Sequence, residues 1–504
     1  MYEGVFDPDT LFTLILLNEL EIDPSKPYSS EHGVDHNSPE FRKYQRALVH
    51  EKAHYFTLMG SSLFVRRILS NAEISHHLSK AKFKNLRPFV NQSEVPNELL
   101  FWFYEYSADS LYFTDLVEGK KIDHSSKVKY LIGNQGLKHI LDAYGWGITD
   151  LEAVYNLDAF EDASATALVE GIGRAEEYLM LLKPHIGTKI DPISNEIIPE
   201  YGHILTEAEI EEEHRENLED FLSDGSIYTS AIELFRQIVG AAPFSQQLTA
   251  FCAFADIALS PPVRTDGSWP SIPAPEFSLE EVLPQTRFLR LCKAFEGRKD
   301  IFDFNRKELY QSISSFMADI GWQPPHHTYH LMTERLLSSE KNELTYKKYI
   351  DIFGTDPPIR EVPEKYEDAI TWSIQIRIEA FLQSIEFFKA KCQEPLATAP
   401  PYNLELIRNY KLNVRNVIDY DGKGMSQLAL ALMILKMPAL VGHHMIFKPQ
   451  SECLFSDLDS STLVKKILIQ SVKQHNDCCE CAGRPKCGES VFCGYREIID
   501  ELEI

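Results

Sequence analysis

The sequence predicts a mainly α protein, and three observations carry that expectation. Apolar residues recur with a 3.6-residue period in four long stretches, strand-like alternation is scarce, and proline crowds into the interval Ser260–Ser278. The periodic stretches are 40–69, 163–182, 230–259 and 366–391, each with an apolar stripe along one helical face. They divide into a first unit over 1–260, a proline-rich linker over 261–278 and a helical unit over 279–470. A cysteine-rich tail over 471–504 follows, and no repeat of fixed period runs through the chain.

Composition narrows the function classes. With 504 residues, 44% hydrophobic and 25% charged, the chain has the make-up of a soluble globular protein with room for two or three domains. Its 75 acidic and 50 basic residues leave a net charge of −25, and such a field repels phosphate. Neither nucleic acid nor a membrane surface is therefore an expected partner. The amino terminus carries acids where a secretory signal needs positive charge, and no apolar run reaches the roughly 18 to 20 residues that span a bilayer. The expected location is cytoplasmic, where Cys252, Cys292, Cys392 and Cys453 read as buried thiols.

The first helical stretch contains His50, Glu51 and His54 as H-E-x-x-H. Residues four apart on a helix share a face, so the two imidazoles can offer nitrogens to one ion at about 2.0 to 2.1 Å, with the glutamate beside them. A catalytic zinc centre needs a third protein ligand, and two glutamates compete for that place. Glu105 stands in "YEYSADSL", four residues before Asp109. Glu170 lies in "ATALVEGIGRAEEYLML", a carboxylate amid apolar, alanine-rich sequence that would be costly to bury without a cation. The sequence favours Glu170 and leaves Glu105 open.

These motifs resemble those of the gluzincin branch of the zincin metallopeptidases. H-E-x-x-H matches the metal-binding helix, and Glu170, Gly171 and Glu177 match an E-G-x-x-x-x-x-E third-ligand helix. The resemblance implies zinc on His50, His54 and Glu170, with Glu51 as general base and proton shuttle, and a protein or peptide as substrate. It also implies an oxyanion donor, and it covers two short patches of the first unit only.

Two other classes use the same residues. Glu51 and His54 form E-x-x-H, Glu73 and His76 repeat it, and with Glu105 and Glu170 they complete the ligand inventory of a helical di-metal oxidoreductase. That site wants its two E-x-x-H elements on separate facing helices, whereas the sequence between them reads as nearly continuous helix, and His50 would be left without a role. The remaining class is a helical interaction protein with an inactive zincin-like site. The residues 279–470 fit a cleft wall, a surface for a regulatory protein or an inhibitory module equally well.

In the tail, Cys478, Cys481, Cys487 and Cys493 are spaced C-x2-C-x5-C-x5-C, with Cys479 an alternative to Cys478. Glycines and a proline between them allow the turns that gather four thiolates, which suits a second, structural zinc ahead of an iron-sulfur cluster. Such a small knot would pin the last residues to the body.

Overall fold

The computed structural model describes residues 4–7, 12–17, 39–61, 162–181, 186–190, 197–201, 227–240, 242–260, 284–324, 383–393, 399–402 and 417–420, with isolated residues near them. Among these the protein is mainly α, as the periodicity predicts. The helices are α1 (Pro39–Met59), α2 (Ala165–Leu181), α3 (Ile227–Val239), α4 (Phe244–Ala258), α5 (Pro284–Ala294) and α6 (Arg306–Asp319). A further helical stretch, α7, occupies 383–393. Five short strands accompany them. β1 (Gly4–Asp7) pairs antiparallel with β2 (Phe12–Leu16), which pairs in parallel with β5 (Val417–Tyr420) from the far end of the chain. β3 (Ile186–Ile190) and β4 (Ile197–Tyr201) form a separate antiparallel pair.

Local chemistry sets the two helices that matter most. Pro39 opens α1, where its missing N–H would have had no intrahelical partner. Ser164 caps α2 by accepting a 3.1 Å hydrogen bond from the backbone N–H of Ala167. Behind them lies α4, whose residues from Ala250 to Ala258 are all buried. The core around it is aromatic. Phe235, Phe251, Phe254, Phe288 and Phe295 are essentially inaccessible, and Phe254 meets Phe235 and Phe295 edge-on at 5.2 Å between centroids. Edge-to-face pairs of this kind contribute ~0.5–1.5 kcal/mol each beyond the area they bury.

The helices on either side of the proline-rich interval share that core, because α5 and α6 pack against α4. Arg287 of α5 is 1% exposed and donates through Nε to the carbonyl of Ala258 at 2.7 Å, so a buried guanidinium seats the end of α4 on α5. A second tie comes from α7. Lys391, also 1% exposed, donates to the carbonyl of Gly60 just past α1 at 3.1 Å and to Asp256 of α4 at 2.7 Å. Tyr402 adds a third, with its hydroxyl 2.9 Å from Thr57 Oγ1 of α1.

Cys252 and Cys292 are buried free thiols, pushed up from their usual range by burial, whereas Cys392 is half-buried. Among the described residues no single helix is long and apolar enough to cross a membrane.

Candidate metal centre

On α1, Arg46, His50 and His54 follow one another at four-residue intervals and so form one stripe. On α2, Glu170, Gly173 and Glu177 form the opposing stripe. The helices run antiparallel, because Arg46 and His50 reach Glu177 while His50 and His54 reach Glu170. Between the two carboxylates, Gly173 makes the approach feasible. A Cβ there would stand 2.8 Å from His54 Nε2 and 2.9 Å from His50 Cε1, closer than a real Cβ comes to a neighbour. Gly171 faces another way, where a Cβ would lie 2.7 Å from Phe251 Cζ in the core. The two glycines of "EGIG" thus serve different contacts, one for the site and one for the packing behind it.

Three ligand atoms converge. His50 Nε2 is 3.0 Å and His54 Nε2 is 3.2 Å from the same oxygen, Glu170 Oε2, and one atom from each of the three residues falls within 4.8 Å of the others. Ligands at about 2.0 to 2.1 Å in a tetrahedron around zinc stand ~3.3 Å apart, close to both separations. His54 Nε2 is buried and has only Glu170 Oε2, at 3.2 Å, facing it, so two nitrogens and a carboxylate oxygen share one small space that a cation would fill. The three side chains fit a zinc ion on these grounds.

Each histidine also faces a carboxylate on its other ring nitrogen. His50 Nδ1 is 2.7 Å from Glu177 Oε1, and His54 Nδ1 is 3.2 Å from Glu51 Oε2. Carboxylates in these places fix the tautomer and strengthen the Nε2 lone pair. Glu177 is held in turn by Arg174 at 2.5 Å and more loosely by Arg46 at 3.4 Å. The contact of Glu51 is not one that H-E-x-x-H spacing foretells, since the motif alone places the glutamate beside the metal. Tyr228, in the first turn of α3, sets its ring 5.7 Å from that of His50.

Charge inside the cluster is strongly coupled. Burial alone would lower both histidines, but Glu170 and Glu177 outweigh it for His50, which rises well above its usual value. Glu170 does the same for His54 despite burial, holding it at about 9. Burial would raise the two glutamates, yet His54 and His50 hold Glu170 far below the carboxylate range, and His50 with the arginines holds Glu177 at about 2.

The described residues thus bring together His50, Glu51, His54 and Glu170. Glu105, the rival ligand, lies outside them, as do Glu73, His76 and the cysteines 478, 481, 487 and 493. Arg46, Gly173 and Tyr228 join the site without having been singled out from the sequence. The four-residue step from Arg46 to His50 and the three-residue step from Glu170 to Gly173 were the only signals available for the first two. No protein-family model, no curated protein and no solved structure matches the chain.

Proposed function

We propose that the chain is a zinc-dependent metallopeptidase that hydrolyses peptide bonds in a protein or peptide substrate. The observation that carries this reading is the convergence of His50 Nε2, His54 Nε2 and Glu170 Oε2 beside a buried glutamate. Zinc held by these three residues would supply Lewis acidity and bring the pKa of a bound water from about 15.7 toward 7. Glu51, 3% exposed, takes the proton from the attacking water and returns it to the leaving amine. Glu177 keeps the His50 ring oriented. The carboxyl-terminal cysteines are proposed to hold a second zinc, or an iron-sulfur cluster, with a structural role.

Metal content by mass spectrometry on purified protein tests the reading. His50→Ala with His54→Ala is expected to remove about one equivalent of zinc, and replacing Cys481 and Cys487 is expected to remove the metal of the tail. Glu51→Gln is expected to lower peptide hydrolysis by ~100-fold or more while zinc stays bound. Full zinc content in the double histidine variant would end the peptidase reading in favour of an interaction protein.

Proton release provides a second check. The carboxylates around them raise both histidines, so zinc would compete with protons for the ring nitrogens. Calorimetric titration in buffers of different ionisation enthalpy is expected to show proton release on zinc binding, with affinity falling as pH falls. Binding that is independent of pH would place the metal elsewhere.

A further inference from the structure

We propose that Tyr402 is a positioning residue of the metal centre, one that holds α1 against α2 in the register at which His50, His54 and Glu170 can share an ion. This rests on the zinc reading above but needs no substrate. The ligands are divided between helices. Two stand on α1 and one on α2, so a slide or turn of either helix takes the three donor atoms apart. Metal ligands have to be held within about 0.5 Å of their working geometry, and the groups that hold them lie outside the ligand set.

Tyr402, in the described segment 399–402, touches both helices. Its hydroxyl is 2.9 Å from Thr57 Oγ1 on α1, and its backbone N–H donates to Glu176 Oε1 on α2, across 345 and 226 residues of sequence. Both partners are close to the ligands along their helices. Thr57 comes three residues after His54 and seven after His50, which puts it on the same helical stripe. Glu176 directly precedes Glu177, whose Oε1 is 2.7 Å from His50 Nδ1. The ring of Tyr402 fills the space behind these contacts, with centroids 5.6 Å from Phe56 of α1 and 6.3 Å from Phe387 of α7.

A plainer role would be that of a core tyrosine whose hydroxyl has found a partner. That covers the ring and the Thr57 contact. It leaves out Glu176, a carboxylate only 5% exposed on the metal-binding helix, which meets a main-chain donor from the late part of the chain. Burying a carboxylate is costly without hydrogen bonds, so a turn of α2 that pulls Glu176 off this N–H is opposed. The donor is fixed in its turn, because Arg306 of α6 donates to the carbonyl of Ala399, three residues earlier. One residue thus carries a directional contact to each ligand-bearing helix, with α6 and α7 behind it.

The test uses the full-length protein and reads the metal site directly. Zinc affinity is measured by competition titration, and cobalt(II) is bound in place of zinc so that its d–d absorption reports the arrangement of the ligands. The His50→Ala, His54→Ala double variant supplies the baseline for metal held elsewhere. Tyr402→Phe and Thr57→Val each remove one hydroxyl of the α1 contact and keep the shape of the side chain. Each is expected to lower zinc affinity by about 10-fold and to shift the cobalt spectrum, as disturbances of ligand orientation do. The two together should lose little more than either alone, because they break the same bond. Glu176→Ala should also lose affinity, and Glu176→Gln, which keeps an acceptor for the Tyr402 N–H, should retain most of it. Phe295→Leu, in the aromatic core against Phe254 and Phe316, controls for lost stability alone. It should lower the denaturant midpoint and leave zinc affinity and the cobalt spectrum at their wild-type values. Wild-type affinity and spectrum in Tyr402→Phe and Thr57→Val, or equal changes in Phe295→Leu, would overturn the role of Tyr402 while the metal reading stands. A wild-type protein whose cobalt spectrum matches the histidine baseline would overturn the metal reading, and the role of Tyr402 with it.

Discussion

Gly173→Ala is expected to weaken the proposed zinc site while leaving the fold nearly as stable as before. The added methyl would stand 2.8 Å from His54 Nε2, 2.9 Å from His50 Cε1 and 3.0 Å from His50 Nδ1. Neither ring can swing away cheaply, because each is set between two carboxylates. A displaced ring takes its lone pair off the convergence point, and disturbances that act through ligand orientation typically lower metal affinity by about 10- to 100-fold. Alanine is meanwhile the better helix former by ~1 kcal/mol, which offsets the strain on α2. Zinc affinity by competition titration should fall at least 10-fold, and the thermal midpoint should move little. Gly171→Ala is the control with the opposite signature. Its methyl would press on Phe251 at 2.7 Å, so the core should lose about 1–3 kcal/mol through overpacking while the ligand atoms stay in place. Equal losses of zinc in the two variants would show that the glycines do not divide their work as the structure assigns it.

That division was only half legible in the sequence. His50, Glu51 and His54 announce themselves because a fixed four-residue step on a helix is a local property, independent of the rest of the fold. Glu170 was a harder choice, since a third ligand can come from any distance along the chain. What favoured it was energetic, a carboxylate in apolar surroundings, and the structure places that carboxylate against both imidazoles. Glu51 and Glu177 were both singled out in the sequence, but their placement on the Nδ1 atoms of the histidines was not legible. Glu177 is seven residues from Glu170 on α2, yet only the antiparallel meeting with α1 reveals that it faces His50. Arg46 reads as an ordinary helix-surface cation until Glu177 and the histidines are put beside it.

Periodicity marked α1 to α4 for a similar reason, but it carried α1 past its end at Met59, ran 230–259 together where the structure breaks between Val239 and Phe244, and did not single out α5 and α6. It missed the strands because they are four or five residues long and make most of their sense through pairing. β2 pairs with β5 across some 400 residues of sequence, a relation that no window of alternation can contain. Composition also marked 261–278 as an interval between units. The packing of α5, α6 and α7 on α1 and α4 depends on complementary surfaces instead, and a proline-rich stretch says nothing about whether its two sides come together again.

Lys391→Ala should show how much the metal helix relies on the later part of the chain. Lys391 and Asp256 are 1% and 3% exposed, 2.7 Å apart, and the ammonium also holds the carbonyl of Gly60 immediately after α1. Burial lowers the pKa of Lys391, and the contact with Asp256 partly restores it. Removing the lysine leaves a buried carboxylate with its close cation gone, a change that costs about 3–5 kcal/mol in comparable buried pairs. Against a total stability of ~5–15 kcal/mol, that is a large fraction. Lys391→Met with Asp256→Leu removes both charges and fills the space with apolar atoms, so it should recover much of the loss. Denaturant unfolding with and without zinc would separate the effects. If α7 steadies α1 through Gly60, the single variant should lose stability and zinc affinity together, and the double variant should regain more stability than affinity, because the bond to the Gly60 carbonyl is not restored. A single variant that unfolds at the wild-type denaturant concentration would show that the pair contributes nothing net and that α1 stands without it.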